Sequence, residues 1–158
     1  MADACRSFEI IDYRPALAAD FARLNLEWIR RYFTLEPVDE AILNDPESAI
    51  LAEGGMILFA VAGGTAVGTC ALKRDGQRYE LTKMAVAPGT RGQGIGRALL
   101  MAAIARFRAM GGTELWLETA PVLGPAVRLY ETAGFVRAQP PRPSAYSRSE
   151  IYMVYRGS

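Results

Sequence analysis

The chain has 158 residues, of which 51% are hydrophobic and 22% charged, which is the size and balance of one globular domain with its own core. Its 18 basic and 17 acidic side chains give a formal net charge of +1, so no strongly polarised surface is available for nucleic acid or an anionic membrane. Histidine is absent, which excludes Ser-His-Asp triads, Cys-His pairs and imidazole bases and, with only two cysteines, argues against a metal site. Any acid–base chemistry must therefore use Glu, Asp, Tyr, Lys, a terminus or water.

The beginning of the chain reads as a polar leader, so we expect a flexible N-terminal leader at residues 1–7 and a single domain over residues 8–158. The start lacks the basic-then-apolar plan of a secretory signal, and no apolar run approaches the roughly 18 residues that span a bilayer. These observations predict a cytoplasmic protein without a membrane partner. Cys5 and Cys70 offer no disulfide framework, and Cys70 is predicted to be a small buried hydrophobe rather than a nucleophile.

The first half of the chain predicts a strand, two helices and then three strands. Residues 8–13 alternate as a short strand, and Pro15 opens a helix whose apolar stripe begins at Leu17 and ends at Trp28. The segment 31–48 mixes aromatic, acidic and proline residues, which predicts a short second helix with irregular flanks. Segments 56–62, 66–74 and 79–88 are β-rich and are separated by glycine turns, so they predict an antiparallel meander.

The second half of the chain predicts a crossover followed by a helix and two strands. Ile95 to Met110 has one apolar stripe and ends at a Gly-Gly pair, and residues 113–119 then alternate as a strand. A strand, helix and strand in this order form a right-handed crossover, so the strands on either side of this helix should be parallel. A last helix over 125–133, a strand from 135 to 138, a loop rich in proline and serine and a final strand at 150–156 complete the sheet.

The loop before the helix at Ile95 contains four glycines within eight residues, at positions 89, 92, 94 and 96. Because a helix N-terminus has up to four backbone N–H groups without internal partners, it attracts anions. Gly94 and Gly96 would allow close approach to those amides, and Arg91 and Arg97 would add positive charge, so the loop predicts a phosphate or pyrophosphate site. A tight strand-to-helix turn without a ligand is the simpler alternative.

Two common phosphate-binding motifs do not fit this loop. The Walker pattern needs Gly-Lys-Ser or Gly-Lys-Thr, but Gly96 is followed by Arg97. The dinucleotide fingerprint needs a third glycine, and that position falls on Arg97 or on Leu99. What remains is Arg91-x-x-Gly94-x-Gly96 after a strand that ends in Val86-Ala87-Pro88, and here the chain resembles the GNAT superfamily of acetyl-CoA-dependent N-acyltransferases.

The resemblance covers nearly the whole chain, including the meander, the loop, the strand ELWLET and the closing segment AVRLYETAGFV. It implies an α/β (α+β) fold, with a mixed, mostly antiparallel sheet of six or seven strands, a splayed parallel strand pair and about four flanking helices. It also implies acetyl-CoA as co-substrate without a metal. The residues that the resemblance assigns to coenzyme binding are Met84, Ala85, Val86, Arg91, Gly92, Gln93, Gly94, Ile95, Gly96, Arg97 and Tyr130.

The strand before the loop carries a phase slip, because Leu81 and the pair Met84 and Val86 cannot share one face of a period-two strand. One extra residue near Thr82-Lys83, a β-bulge, would account for the slip and would splay this strand from its parallel neighbour. A regular strand that is buried on both faces is the alternative. In relatives of the family such splaying opens a slot for pantetheine.

For catalysis, the resemblance implies direct attack of a primary amine on acetyl-CoA in a ternary complex. Tyr130 would be the general acid that faces the coenzyme sulfur, although a packing role is the alternative. Glu80 is the first candidate for the general base, with Glu36 and Glu118 as rivals. The acceptor pocket would be formed by residues 32–37, by the end of the strand ELWLET and by residues 144–147.

One departure from the family pattern concerns the last helix, where many relatives carry asparagine three residues before its alanine. Here Leu123 stands before Ala126. An acyl-CoA-binding sensor without catalysis is therefore the alternative function, and an unrelated nucleotide binder is a third. The acceptor, a small molecule or a peptide, stays open, and a homodimer is suggested only by analogy.

Overall fold

The computed structural model describes residues 7–157 and arranges seven strands in one sheet with the order β1-β2-β3-β4-β5-β7-β6. The expected leader, except its last residue, and Cys5 lie outside the described residues. The strands are β1 (Glu9–Asp12), β2 (Met56–Ala62), β3 (Thr65–Asp75), β4 (Arg78–Val86), β5 (Glu114–Thr119), β6 (Phe135–Arg137) and β7 (Ile151–Tyr155). The α-helices are α1 (Ala18–Tyr32), α2 (Pro37–Asn44), α3 (Ile95–Ala109) and α4 (Gly124–Ala133). The predicted fold class is confirmed.

The sheet separates two apolar cores. One core lies between the sheet and the helices α3 and α4, and its fully buried members include Leu99, Leu100 and Met153. The other lies on the opposite face against α1 and α2, around Phe21 and Phe59. Every pair of neighbouring strands is antiparallel except β4 and β5, which are parallel as the crossover through α3 requires.

The bulge predicted in β4 is present. Ala71 of β3 lies opposite Thr82, whereas Thr69 lies opposite Ala85, so two steps along β3 correspond to three along β4. The extra residue turns the chain through Lys83, whose φ of 55° is in the left-handed region that non-glycine residues rarely occupy. Leu81 and Met84 therefore both pack on the α3 side of the sheet despite their odd spacing.

The two parallel strands separate beyond the bulge. β4 pairs with β5 only through its residues 78–80, which lie opposite residues 114–116. From Leu81 onward the edge of β4 that faces β5 has no strand partner, while the end of β5 continues its pairing with β7. The predicted splayed pair is confirmed, and it leaves free backbone groups along one edge of β4.

Some element boundaries differ from the sequence prediction. Pro15 begins a 3₁₀ turn that ends at Leu17, and α1 starts only at Ala18. A π-helical turn at Glu47–Leu51, directly after a proline, was not predicted. In the part of the chain that the structure describes, none of the helices has the length and apolar character needed to cross a bilayer.

Candidate active site

A cleft of about 490 Å³ opens where β4 and β5 separate. Its walls come from the open edge of β4, the N-terminus of α3, the start of α4 and the end of β5. Every residue predicted for coenzyme binding lines this cleft except Gln93, and the predicted catalytic residues Glu80 and Tyr130 line it as well. The structure therefore brings the predicted site together in one place.

The glycine loop presents a run of free amides to this cleft. The first bond of α3 runs from the Ala98 amide to the Gly94 carbonyl at 3.0 Å, so the N–H groups of residues 95–97 have no partner within the helix. Within residues 7–157, the amides of residues 92–94 have no backbone acceptor either. Gly92 and Gly94 adopt φ values of 85° and 80°, which glycine tolerates without strain. The loop is thus shaped to hold an anion.

The two arginines that flank the loop differ in their surroundings. Arg91 lies 3.6 Å from Glu27 of α1, with both side chains partly exposed. Arg97 is exposed and forms no ion pair or hydrogen bond within the described residues. Arg97 is therefore the flanking cation whose charge is not already shared with a carboxylate.

Tyr130 lies on α4 and is only 7% exposed, with its ring 5.9 Å from that of Phe135. Its hydroxyl has no hydrogen-bond partner among residues 7–157, and the residue lines the cleft. Burial, with the nearby Cys70 thiol, raises the pKa of this phenol, so it stays protonated.

Cys70 is fully buried, and burial raises its pKa to about 12, as expected of an inert core thiol.

Glu80 is the last β4 residue that pairs with β5, so its carboxyl stands where the two strands part. Burial, together with repulsion from Glu118, raises the pKa of Glu80 to about 7, against the opposing effects of Lys73 and Lys83. The Glu80 carboxyl has no hydrogen-bond partner among the described residues. It is free to accept a proton near neutral pH.

The rival carboxylates are both engaged. Glu36 accepts a hydrogen bond from the Ser147 amide at 3.1 Å and lies 3.3 Å from Arg148. Glu118 accepts one from the Ser144 hydroxyl at 2.8 Å. These contacts favour Glu80 over Glu36 and Glu118 as a base.

A buried ionic network, which the sequence analysis missed, lies next to the bulge. Lys83 donates a hydrogen bond to Asp39 at 2.8 Å and another to the Tyr146 hydroxyl at 3.0 Å. Arg148 holds the same Asp39 through two bonds of 2.8 and 2.7 Å, and its guanidinium lies 4.5 Å from the centre of the Tyr146 ring. Asp39 is fully buried and Lys83 is 4% exposed. The network joins α2, the bulge and the segment before β7.

Electrostatics in this network follow from burial and pairing. Burial alone would raise the pKa of Asp39, but hydrogen bonds from Arg148 and Lys83 hold it well below its usual range. Burial also lowers the pKa of Lys83, and Asp39 opposes that shift. The phase slip at Lys83 was the one signal in the sequence that could have indicated this network. An extra residue in a buried strand needs contacts that compensate for the lost pairing.

The segments predicted to form the acceptor pocket are divided between two cavities. Tyr32 and Phe33, the end of β5 and Tyr146 line the cleft. Ser144 and Ala145 instead line a second cavity of about 360 Å³, which shares Glu80, Glu118 and Tyr146 with the first.

The matching family model is the acetyltransferase (GNAT) family, over residues 21–135. The chain belongs to this family, and it is an acyltransferase. Its fold matches a GNAT-family acetyltransferase from Staphylococcus aureus with a TM-score of 0.85 and 22% identity, over 94% of this chain and 98% of that one. It also matches the PaiA N-acetyltransferase of Thermoplasma acidophilum in complex with coenzyme A, with a TM-score of 0.72 and 19% identity, over 94% and 98% of the two chains.

Among curated proteins, an uncharacterized N-acetyltransferase of Schizosaccharomyces pombe is 29% identical over 126 residues, which cover 77% of each chain. Streptothricin acetyltransferase of Streptomyces lavendulae is 44% identical over 59 residues, 37% of this chain and 31% of that protein. Mycothiol acetyltransferase of Thermobispora bispora is 38% identical over 93 residues, 59% of this chain and 31% of that protein. The match therefore spans under a third of the length of the streptothricin and mycothiol enzymes.

Replacing Asp39 with alanine should lower the free energy of unfolding by about 3–5 kcal/mol at pH 7, because two buried cations would lose their common carboxylate. Urea unfolding measures this change. The contribution of Asp39 to the free energy of unfolding should decrease as the pH falls below about 4. In that range the Asp39 carboxyl is protonated in the unfolded chain but still ionised in the folded one, so protons favour unfolding.

The matched control is Asp12→Ala, which removes an exposed ion pair with Arg106 and should cost less than about 1 kcal/mol. Equal destabilisation by the two substitutions would contradict a structural role for the buried network.

Proposed function

We propose that this protein transfers the acetyl group of acetyl-CoA to a primary amine of a small molecule or peptide, by direct attack in a ternary complex. The observation that carries the proposal is a convergence in one cleft of three features: the free amides of Gly92 and residues 94–97, the open edge of β4, and the side chains of Glu80 and Tyr130, which have no hydrogen-bond partner among the described residues.

Coenzyme binding follows from the backbone of the loop. The amides of residues 92–97 would hold the pyrophosphate, and Arg97 would add charge from the side. The free edge at Met84, Ala85 and Val86 would hydrogen-bond the pantetheine amides in the manner of an added strand. The Thermoplasma acidophilum neighbour of the same fold is in complex with coenzyme A, which supports coenzyme A as the ligand of this fold.

The chemistry requires protons or charge to move at three atoms: the amine nitrogen, the acetyl oxygen and the coenzyme sulfur. Ionised Glu80 takes a proton from the ammonium, directly or through water, and so frees the nitrogen lone pair. A C–N bond then forms as the C–S bond breaks, and free β4 amides polarise the acetyl oxygen. Tyr130 gives its proton to the departing thiolate, and the second proton that the nitrogen loses as the amide forms restores the phenol through solvent. Burial raises the pKa of the phenol, so Tyr130 is protonated and able to donate when the thiolate leaves.

The proposal is tested by mixing the protein with acetyl-CoA and a broad amine panel while free thiol is measured. Thiol release should depend on an amine, and titration with CoA should shift the amide NMR signals of residues 92–97. Saturable CoA binding with no amine-dependent thiol release would instead support the acyl-CoA-binding sensor. That alternative arises because Leu123 stands where many relatives have asparagine. Tighter binding of ATP or NAD than of CoA would overturn the proposal in favour of a nucleotide binder.

The pH dependence of kcat/KM should show an ascending limb with a midpoint near 7, because protonated Glu80 below that pH cannot accept the ammonium proton. Glu80→Gln should abolish this limb and lower kcat/KM by about 100-fold or more at pH 8. Glu118→Gln is the matched control: removing the repulsive charge should move the limb to lower pH without abolishing it. A limb near pH 7 that persists in Glu80→Gln would rule out Glu80 as the base.

Tyr130→Phe keeps the ring packing against Phe135 and removes only the hydroxyl. We expect kcat to fall about ten-fold or more, while the dissociation constant for CoA barely changes, because the proton is needed only when thiolate leaves. Steady-state kinetics and CoA titration measure the two effects. Unchanged kcat would remove Tyr130 from the mechanism.

A further inference from the structure

The second cavity meets the cleft at the proposed catalytic carboxylate. It is bounded by β3, β4, β5 and the segment at residues 140–146, and it shares Glu80 with the cleft. An acceptor that entered from this side would reach Glu80 without crossing the coenzyme channel. The side chains of this cavity therefore bear on which amine the enzyme takes.

Most charged side chains on the wall of this cavity already have partners. The pairs are Arg142 with Asp75 at 3.1 Å, Arg78 with Glu114 at 2.7 Å and with the Tyr152 hydroxyl at 2.9 Å, Arg74 with the Gly76 carbonyl at 2.7 Å, and Glu118 with Ser144 at 2.8 Å. Their charges are thus largely satisfied by the protein itself.

Two opposite charges remain without such partners. Lys73 and Glu80 form no ion pair and no hydrogen bond within residues 7–157, and both are only partly exposed. They face each other directly across β3 and β4, so their Cβ atoms are about 5 Å apart. A zwitterion with adjacent opposite charges would complement this couple, whereas a polyamine would meet the like charge of Lys73.

The adjoining wall is aromatic. Trp116 stacks on Tyr152 with ring centres 5.5 Å apart and planes 30° from parallel, and Arg78 lies over the indole at 5.4 Å. Val38 and the prolines at 140, 141 and 143 add apolar surface to the lining of the same cavity. A flat or bulky apolar group would bury its surface here.

We propose that the acceptor is a free α-amino acid with an aromatic or large apolar side chain. Its ammonium group lies at Glu80, its carboxylate at Lys73 and its side chain against Trp116 and Tyr152. This assignment rests on the proposed function, since it takes Glu80 as the base. Lys73 then acts as the residue that selects for the carboxylate.

The experiment compares L-phenylalanine, L-phenylalaninamide and phenethylamine as acceptors of acetyl from acetyl-CoA. The last two keep the amine and the ring but lack the carboxylate. The intact enzyme should favour phenylalanine over either by about ten-fold or more in kcat/KM. Lys73→Met should bring these ratios close to one, and Lys73→Arg should retain most of the preference because the charge is kept.

Arg142→Ala is the matched control, because it removes a cation from the same rim that Asp75 already neutralises; the ratios should stay unchanged. Each ratio compares kcat/KM for two amines with the same variant. A change in the pKa of Glu80 caused by replacing Lys73 would act on every amine and would therefore leave the ratio unchanged.

Each remaining outcome overturns a defined part of this picture. Equal use of the three amines by the intact enzyme would overturn the amino-acid acceptor and leave the proposed function standing. A preference that survives Lys73→Met would overturn the assignment of Lys73. CoA binding without thiol release from any amine would overturn the proposed function, and the acceptor assignment with it.

Discussion

The site depends on one extra residue in β4. If β4 and β5 were paired along their whole length, the backbone N–H and C=O groups on their facing edges would all be hydrogen-bonded, and no slot would remain between the two strands. The bulge at Lys83 ends the pairing after Glu80 and turns the free edge of β4 toward the cleft. The unusual backbone angle of Lys83 is held by its own side chain, which is fixed to Asp39 of a neighbouring helix.

That arrangement combines two environments in one cleft. At the loop end, a row of amides faces an open space, and the binding of an anion there requires no buried charge from the protein. At the other end, Tyr130 and Glu80 are largely withdrawn from solvent, and desolvation raises both pKa values. The pyrophosphate and the acetyl group of a bound acetyl-CoA would therefore lie in different surroundings within the same cleft.

The sequence was sufficient for features that local pattern controls. Alternation and glycine turns located the strands, and the slip between Leu81 and Met84 favoured a bulge over a regular strand buried on both faces. The π-helical turn was missed, since nothing in residues 47–51 departs from ordinary helix composition. The boundary at Pro15 was placed too early because proline favours both kinds of helical start.

The candidate site was predictable only where its residues are adjacent in the chain. The loop residues formed a motif, whereas Asp39, Lys83 and Arg148 lie on three separate segments and are joined only by tertiary contacts. Likewise, the sequence made Glu80 the first candidate for the base but did not exclude its rivals Glu36 and Glu118. Their ranking came from hydrogen bonds to Ser147 and Ser144, which long-range packing creates.

The segment between β6 and β7 is held by hydrogen bonds at its two ends and at residues 144–148. For the stretch Gln139–Pro143, the only hydrogen bond or ion pair among the described residues is the exposed contact of Arg142 with Asp75. Its three prolines restrict the chain without depending on neighbours. This short strap can therefore be exchanged by protein engineers, or by evolution, while β4 and β5 keep their geometry.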